Sequence, residues 1–60
     1  LTLFEQSTVS ILDAAGGPLH IDEIAERTEK EVQVLLVQLL DLELKNVVQQ
    51  MAGKYFSTIF

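Results

Sequence analysis

Sixty residues make one domain at most, and a chain that short buries only about 60% of its unfolded surface. Nine acidic against four basic residues leave a net charge of −5, a poor start for nucleic-acid binding, whose affinity rests largely on Lys and Arg neutralising phosphates. The absence of cysteine excludes disulfides and thiolate metal sites and suits a cytoplasmic protein, while 48% apolar residues and a mean hydropathy of +0.29 imply dense packing or apolar surface reserved for a neighbour.

The chain opens on Leu1-Thr2 with neither a charged n-region nor an initiator methionine. It therefore reads as a piece of a longer protein, without a signal peptide. Thr2-Leu3-Phe4-Glu5 has the spacing of a capping box, Thr2 as N-cap and Glu5 reaching back. Phe4, Ile11, Leu12 and Ala15 then recur at helical spacing, with Thr8 in the remaining place on the stripe and Val9 beside it. Gly16-Gly17-Pro18 ends this first helix, because glycine supplies a left-handed residue and proline cannot continue the ladder.

Leu19-His20-Ile21 is long enough only for a bridging strand. A second helix follows with Ile21, Ile24 and Ala25 inward and Asp22, Glu23, Glu26 and Arg27 outward; acids at its start and arginine near its end suit the macrodipole. Thr28-Glu29-Lys30 breaks it, and Thr28 with Glu31 has the spacing of a second capping box.

The third helix starts near Glu31 and stops at Asn46. At ~100° per residue, Val32, Leu35, Leu36, Leu39, Leu40 and Leu42 share one arc, which is the expected core face. Gln33, Gln38, Asp41 and Lys45 fall outside it, as do Val34 and Val37, with Leu44 at its margin. Glu43 points into the arc, where backbone N–H groups or Arg27 would satisfy it. The off-arc apolar residues are either scattered surface valines or a docking patch. Gln, Asp and Glu interrupt the leucines, so no apolar run approaches the ~18 residues of a membrane span.

Asn46 suits the left-handed position that ends a helix. Val47–Met51 reads as a strand, Ala52-Gly53 as a tight turn and Lys54–Phe60 as the returning strand. Three helices followed by a two-stranded β-hairpin give a mainly α (α+β) chain with a winged helix-turn-helix layout, one domain over residues 1–60.

Within that layout Ile11-Leu12-Asp13-Ala14-Ala15, Pro18-Leu19-His20-Ile21-Asp22-Glu23-Ile24-Ala25-Glu26-Arg27-Thr28 and Leu39-Leu40-Asp41-Leu42-Glu43-Leu44-Lys45-Asn46-Val47-Val48 resemble the C-terminal winged-helix domain of the DNA-processing protein A (DprA, or Smf) family. Gly53-Lys54-Tyr55 stands where the family has Gly-Arg-Tyr at the wing. Glu29-Lys30 replaces the family's usual Gly-Leu, Asn46 replaces a glycine, and Ser57–Phe60 runs past the usual end of the wing. The resemblance implies a parent protein with a Rossmann-like domain that handles incoming single-stranded DNA in natural transformation and recombination. For this chain it implies the role of an accessory C-terminal module.

The residues give no support to catalysis. His20 has only the adjoining Asp22 and Glu23 as co-ligands, which do not close a metal site, and it fits better at the N-cap of the second helix. Ser7, Ser10 and Ser57 have no His–acid partner, and Gly16-Gly17-Pro18 lacks the spacing and the Lys-Ser/Thr of a phosphate loop. No enzyme, cofactor or metal is expected.

Two uses of the third helix remain. In the first, Val34, Val37 and Leu44, with Phe56 and Phe60, dock on the parent's own main domain, on a second copy or on a protein partner. In the second, Lys30, Gln33 and Gln38, with Lys54 in the wing, touch DNA weakly. The charge balance favours the first. A winged helix of an unrelated transcription regulator is the fallback if the resemblance misleads.

Overall fold

Thr2 and Glu5 cap the first helix reciprocally. Thr2 Oγ1 accepts from the Glu5 amide at 3.1 Å and Glu5 Oε1 accepts from the Thr2 amide at 3.0 Å, the arrangement that their spacing predicts. In the computed structural model, which describes residues 2–60, α1 runs Leu3–Ala15 and stops at Gly16, whose φ of 69° is the left-handed value expected of a C-terminal glycine.

Leu19–His20 forms β1, and His20 then caps α2 (Ile21–Thr28) by accepting the Asp22 amide on Nδ1 at 3.1 Å. The histidine thus has the capping role expected from its position. Helix α2 ends at Glu29, left-handed at φ 57°, where the family resemblance places a glycine; a side chain in that conformation costs ~1 kcal/mol. The second capping box does not form. Thr28 Oγ1 instead donates to the Ile24 carbonyl at 2.7 Å, and Glu31 begins α3 (Val32–Leu44) without a side-chain cap. A threonine at a helix C-terminus has that nearer acceptor within its own turn. Asn46 is left-handed at φ 61°, and the Val47 amide donates to the Leu42 carbonyl at 2.9 Å, which closes the end of α3.

Strands β2 (Val48–Met51) and β3 (Tyr55–Thr58) are joined by Ala52-Gly53-Lys54, with Gly53 and Lys54 both at positive φ. Their antiparallel register pairs Val48 with Thr58, Gln50 with Phe56 and Met51 with Tyr55. The sheet has three strands in the order β1-β3-β2, because Leu19 and His20 pair with Phe56 and Tyr55. The expected two-stranded wing therefore gains the bridging strand as a third member. The result is a winged-helix fold of class α+β, with the three helices and the bridging strand first and the hairpin wing at the end of the chain.

The core is Leu12, Ile21, Ile24, Leu35, Leu39, Leu42, Val48 and Phe56, drawn from all three helices and both long strands. Each such side chain contributes ~1.5–3 kcal/mol on burial, so few residues carry the stability. One expected member is missing. Leu40 is 57% exposed, whereas Gln38, expected outside, is only 8% exposed. The buried face of α3 follows Leu35, Gln38, Leu39 and Leu42, roughly 60° around the helix from the predicted arc at ~100° per residue. The cause is a polar partner: Thr8 Oγ1 of α1 donates to Gln38 Oε1 at 2.5 Å, a buried bond that lets glutamine sit inward. Glu43 is half-buried rather than in the core, and Arg27 bonds Glu23 at 3.2 Å instead.

Candidate functional site

Helix α3 turns two apolar stripes in opposite directions. The inner one is core; the outer one consists of Val37 (72% exposed), Leu40 (57%) and Leu44 (75%), with Val34 at its edge. Their spacing of three, four and seven residues puts them on one line along the helix. Gln33, also exposed, continues that line toward the helix N-terminus. This stripe is the largest group of exposed aliphatic side chains on any one element of the described residues. Leu40 was assigned to the core by the wheel; its spacing of three and four from Val37 and Leu44 is the signal that groups it with them.

The other residues singled out in the sequence are scattered. Phe56 is 3% exposed and packs in the core, so it is no surface anchor. Its position opposite both Leu19 and Gln50 on the central strand explains this, since a central strand under helices turns alternate side chains inward. Phe60 is exposed, but it lines an open cleft with Leu12, Gly16 and Pro18 at the end of α1, and no α3 residue lines that cleft. Gln38 bonds Thr8 and is withdrawn from any groove-facing surface.

The cations are equally committed. Lys30 Nζ donates to the Phe4 carbonyl at 3.2 Å and to Thr8 Oγ1 at 3.4 Å, and lies 3.3 Å from the centroid of the Phe4 ring. Burial there pushes its pKa down, as expected where the charged form loses water. Lys45 bridges Asp41 at 2.9 Å and Glu5 at 3.3 Å, and both carboxylates push its pKa up. Arg27 pairs with Glu23. Among the described residues Lys54, exposed at the wing turn, is the one cation without a side-chain partner.

Glu5 is the most perturbed carboxylate, held down to about 2 by the Thr2 amide first and by Lys45 as well. It ties the start of α1 to the end of α3, one end of a seam that Thr8–Gln38 continues. This seam is structural, and the sequence gives little sign of it because its partners lie 30 and 40 residues apart. Among the described residues no cluster of three or more His, Cys, Asp or Glu is arranged to hold a metal ion, and no helix is long and apolar enough to cross a membrane.

Residues 5–54, five-sixths of the chain, match the family described as the DprA winged helix domain. No curated protein and no solved structure matches the chain significantly. The match begins in the first turn of α1, takes in all of α2 and α3 and ends at the wing turn, so it includes the outer face of α3 and stops short of β3.

Proposed function

From the premise that the chain belongs to the DprA winged helix domain family, we propose that it is the accessory C-terminal module of a DprA-like DNA-processing protein of the cytoplasm, and that it works by docking on protein and performs no chemistry of its own. The parent, on this reading, handles incoming single-stranded DNA in transformation and recombination, and the module holds the parent's main domain or a protein partner. One observation carries the reading: the face of α3 that a DNA-reading winged helix would offer to the major groove is apolar.

Nucleic-acid contact needs cations that are free to release counterions, and the cations near α3 are engaged within the domain. A partner surface, by contrast, gains from covering exposed Val and Leu, at ~25 cal/mol per Å² of apolar area. The second reading, weak direct DNA contact, draws on Lys54 and on Gln33, both exposed.

A titration of the domain with labelled duplex and single-stranded DNA, at low and at physiological salt, separates the two. Docking predicts weak binding that vanishes at physiological salt. Tight binding with a steep salt slope, lost in Lys30→Ala/Lys54→Ala, would overturn it. In the complementary assay, Val34→Asp/Val37→Asp abolishes docking on the parent's main domain or self-association while the circular dichroism spectrum is kept.

A further inference from the structure

The outer stripe of α3 has an acidic setting. Before the N-terminal end of α3, Glu29 at the end of α2 and Glu31 at the N-cap are both exposed, and the nearby cation, Lys30, is folded back onto Phe4 and the Phe4 carbonyl. Along its flanks stand Asp41 and Glu43, and the nearby cation there, Lys45, already serves Asp41 and Glu5. With both partners of each ion pair counted, five carboxylates, Glu5, Glu29, Glu31, Asp41 and Glu43, thus stand against Lys30 and Lys45 at the two ends of the helix, within a chain whose net charge is −5. From Val34 to Leu44 the stripe is about 15 Å long, at ~1.5 Å of helix rise per residue.

That combination selects the occupant. A second copy would bring the same acidic rim, and pairing the two stripes in either direction sets carboxylate-rich ends together, since Lys45 is spent within its own chain. Like charges across an interface are repulsive. An anionic lipid surface or a phosphate backbone is opposed by the same charges. A helix with aliphatic residues at i, i+3/i+4 and i+7 matches the stripe in shape, and Lys or Arg beside those residues would meet Glu29, Glu31, Asp41 and Glu43.

We infer that the outer face of α3 binds a basic amphipathic helix, laying Val37, Leu40 and Leu44 against its aliphatic stripe and the surrounding carboxylates against its lysines or arginines. The inference rests on the docking reading above and adds to it the chemistry of the partner. The electrostatic share makes capture fast and salt-sensitive, and the apolar share sets how long the complex lasts.

The test uses three synthetic 18-residue helical peptides with the chain itself. One has a leucine stripe flanked by lysines, one the same stripe flanked by glutamates, and one lysine flanks with the stripe changed to serine. Fluorescence anisotropy is read at low and at physiological salt. The expected result is binding of the first peptide at least about tenfold tighter than the second, with the third binding no better than the second.

Val37→Asp/Leu44→Asp should abolish binding of the first peptide, and the milder Val37→Ser/Leu44→Ser should weaken it at least about fivefold, each variant still melting cooperatively. Glu29→Gln/Glu31→Gln should reduce its salt dependence. Equal binding of the first two peptides, each lost in Val37→Asp/Leu44→Asp, would overturn the basic partner and leave the docking face standing. Binding of the first peptide that survives Val37→Asp/Leu44→Asp would overturn the site. No peptide binding together with a concentration-dependent dimer in sedimentation would replace the basic helix by a second copy. No peptide binding, no dimer and tight salt-dependent DNA binding would sink the docking reading itself.

Discussion

The two faces of α3 have nearly the same chemistry and opposite surroundings. Inward, Leu35, Leu39 and Leu42 are fully buried with one polar residue among them, Gln38; outward, Val37, Leu40 and Leu44 are exposed, in line with Gln33 and flanked by Asp41 and Glu43. Helical periodicity alone distinguishes an apolar stripe from a polar one, and here it meets two apolar stripes. What chooses between them is the packing of other elements, above all the Thr8–Gln38 bond, which needs α1 to arrive on that side. A buried polar pair can therefore set the rotation of a helix whose leucines do not.

The largest effect expected from breaking that asymmetry is in the leucines themselves. Leu39→Ala should destabilise the domain by about 2–5 kcal/mol, because a fully buried leucine leaves both a transfer loss and a cavity. Leu40→Ala, the next residue along, should change stability by less than about 0.5 kcal/mol. Urea melts of the pair measure the difference directly. Equal losses would mean that the two faces are not distinct in solution.

Next comes the polar pin. Gln38→Ala takes away the short acceptor of the Thr8 hydroxyl and leaves it only the Phe4 carbonyl at 3.4 Å, which should cost about 1 kcal/mol. Thr8→Val/Gln38→Leu, which removes both polar groups, should recover most of that loss. A double-mutant cycle with a coupling near zero would show that the bond does not hold the helix in its rotation.

A further prediction concerns acid. The carboxyl of Glu5 sits at about 2 in the folded chain, below its ordinary value of 4.5. A lowered folded pKa means stability that is present above pH ~4.5 and is lost as the pH falls toward ~2. Glu5→Gln should therefore melt lower than the parent at neutral pH and converge with it toward pH ~2. Parallel melting curves across that range would show that neither the Thr2 amide nor Lys45 holds the Glu5 carboxylate charged in the fold.

The sequence was most legible where a local rule acts over a few residues. The Thr2–Glu5 box, the Gly16 stop, the His20 cap and the left-handed Asn46 all depend on neighbours within one turn. It was least legible where distant elements decide. The bond between Thr8 and Gln38 spans 30 positions, and without it the wheel centres the core arc too far toward Leu40. Phe56 was read as surface for a related reason: nothing in Tyr55–Thr58 says that this strand is central and lies under the helices until β1 pairs with it. For the candidate site, Val34, Val37 and Leu44 were legible as apolar residues off the core arc. That Lys30 is spent on Phe4 was not, because the two lie 26 positions apart.

A small effect on the fold should come from the substitution that matters most to docking. Val37→Asp/Leu44→Asp replaces two side chains that are already about three-quarters exposed, so no core contact is lost. The helix pays only the propensity difference between these residues, on the order of a few tenths of a kcal/mol each. An acid at position 44 also faces the negative end of the helix dipole, which adds a similar small cost. Stability should therefore stay within about 1 kcal/mol of the parent. Leu39→Asp, carrying the same charge to the inner face, should prevent folding because an unpaired carboxylate would be placed in the core. Sedimentation and thermal melts of the two variants side by side make the contrast. If the outer variant unfolds as readily as the inner one, the exposed stripe is part of the domain's own stability and cannot be a face held in reserve for a partner.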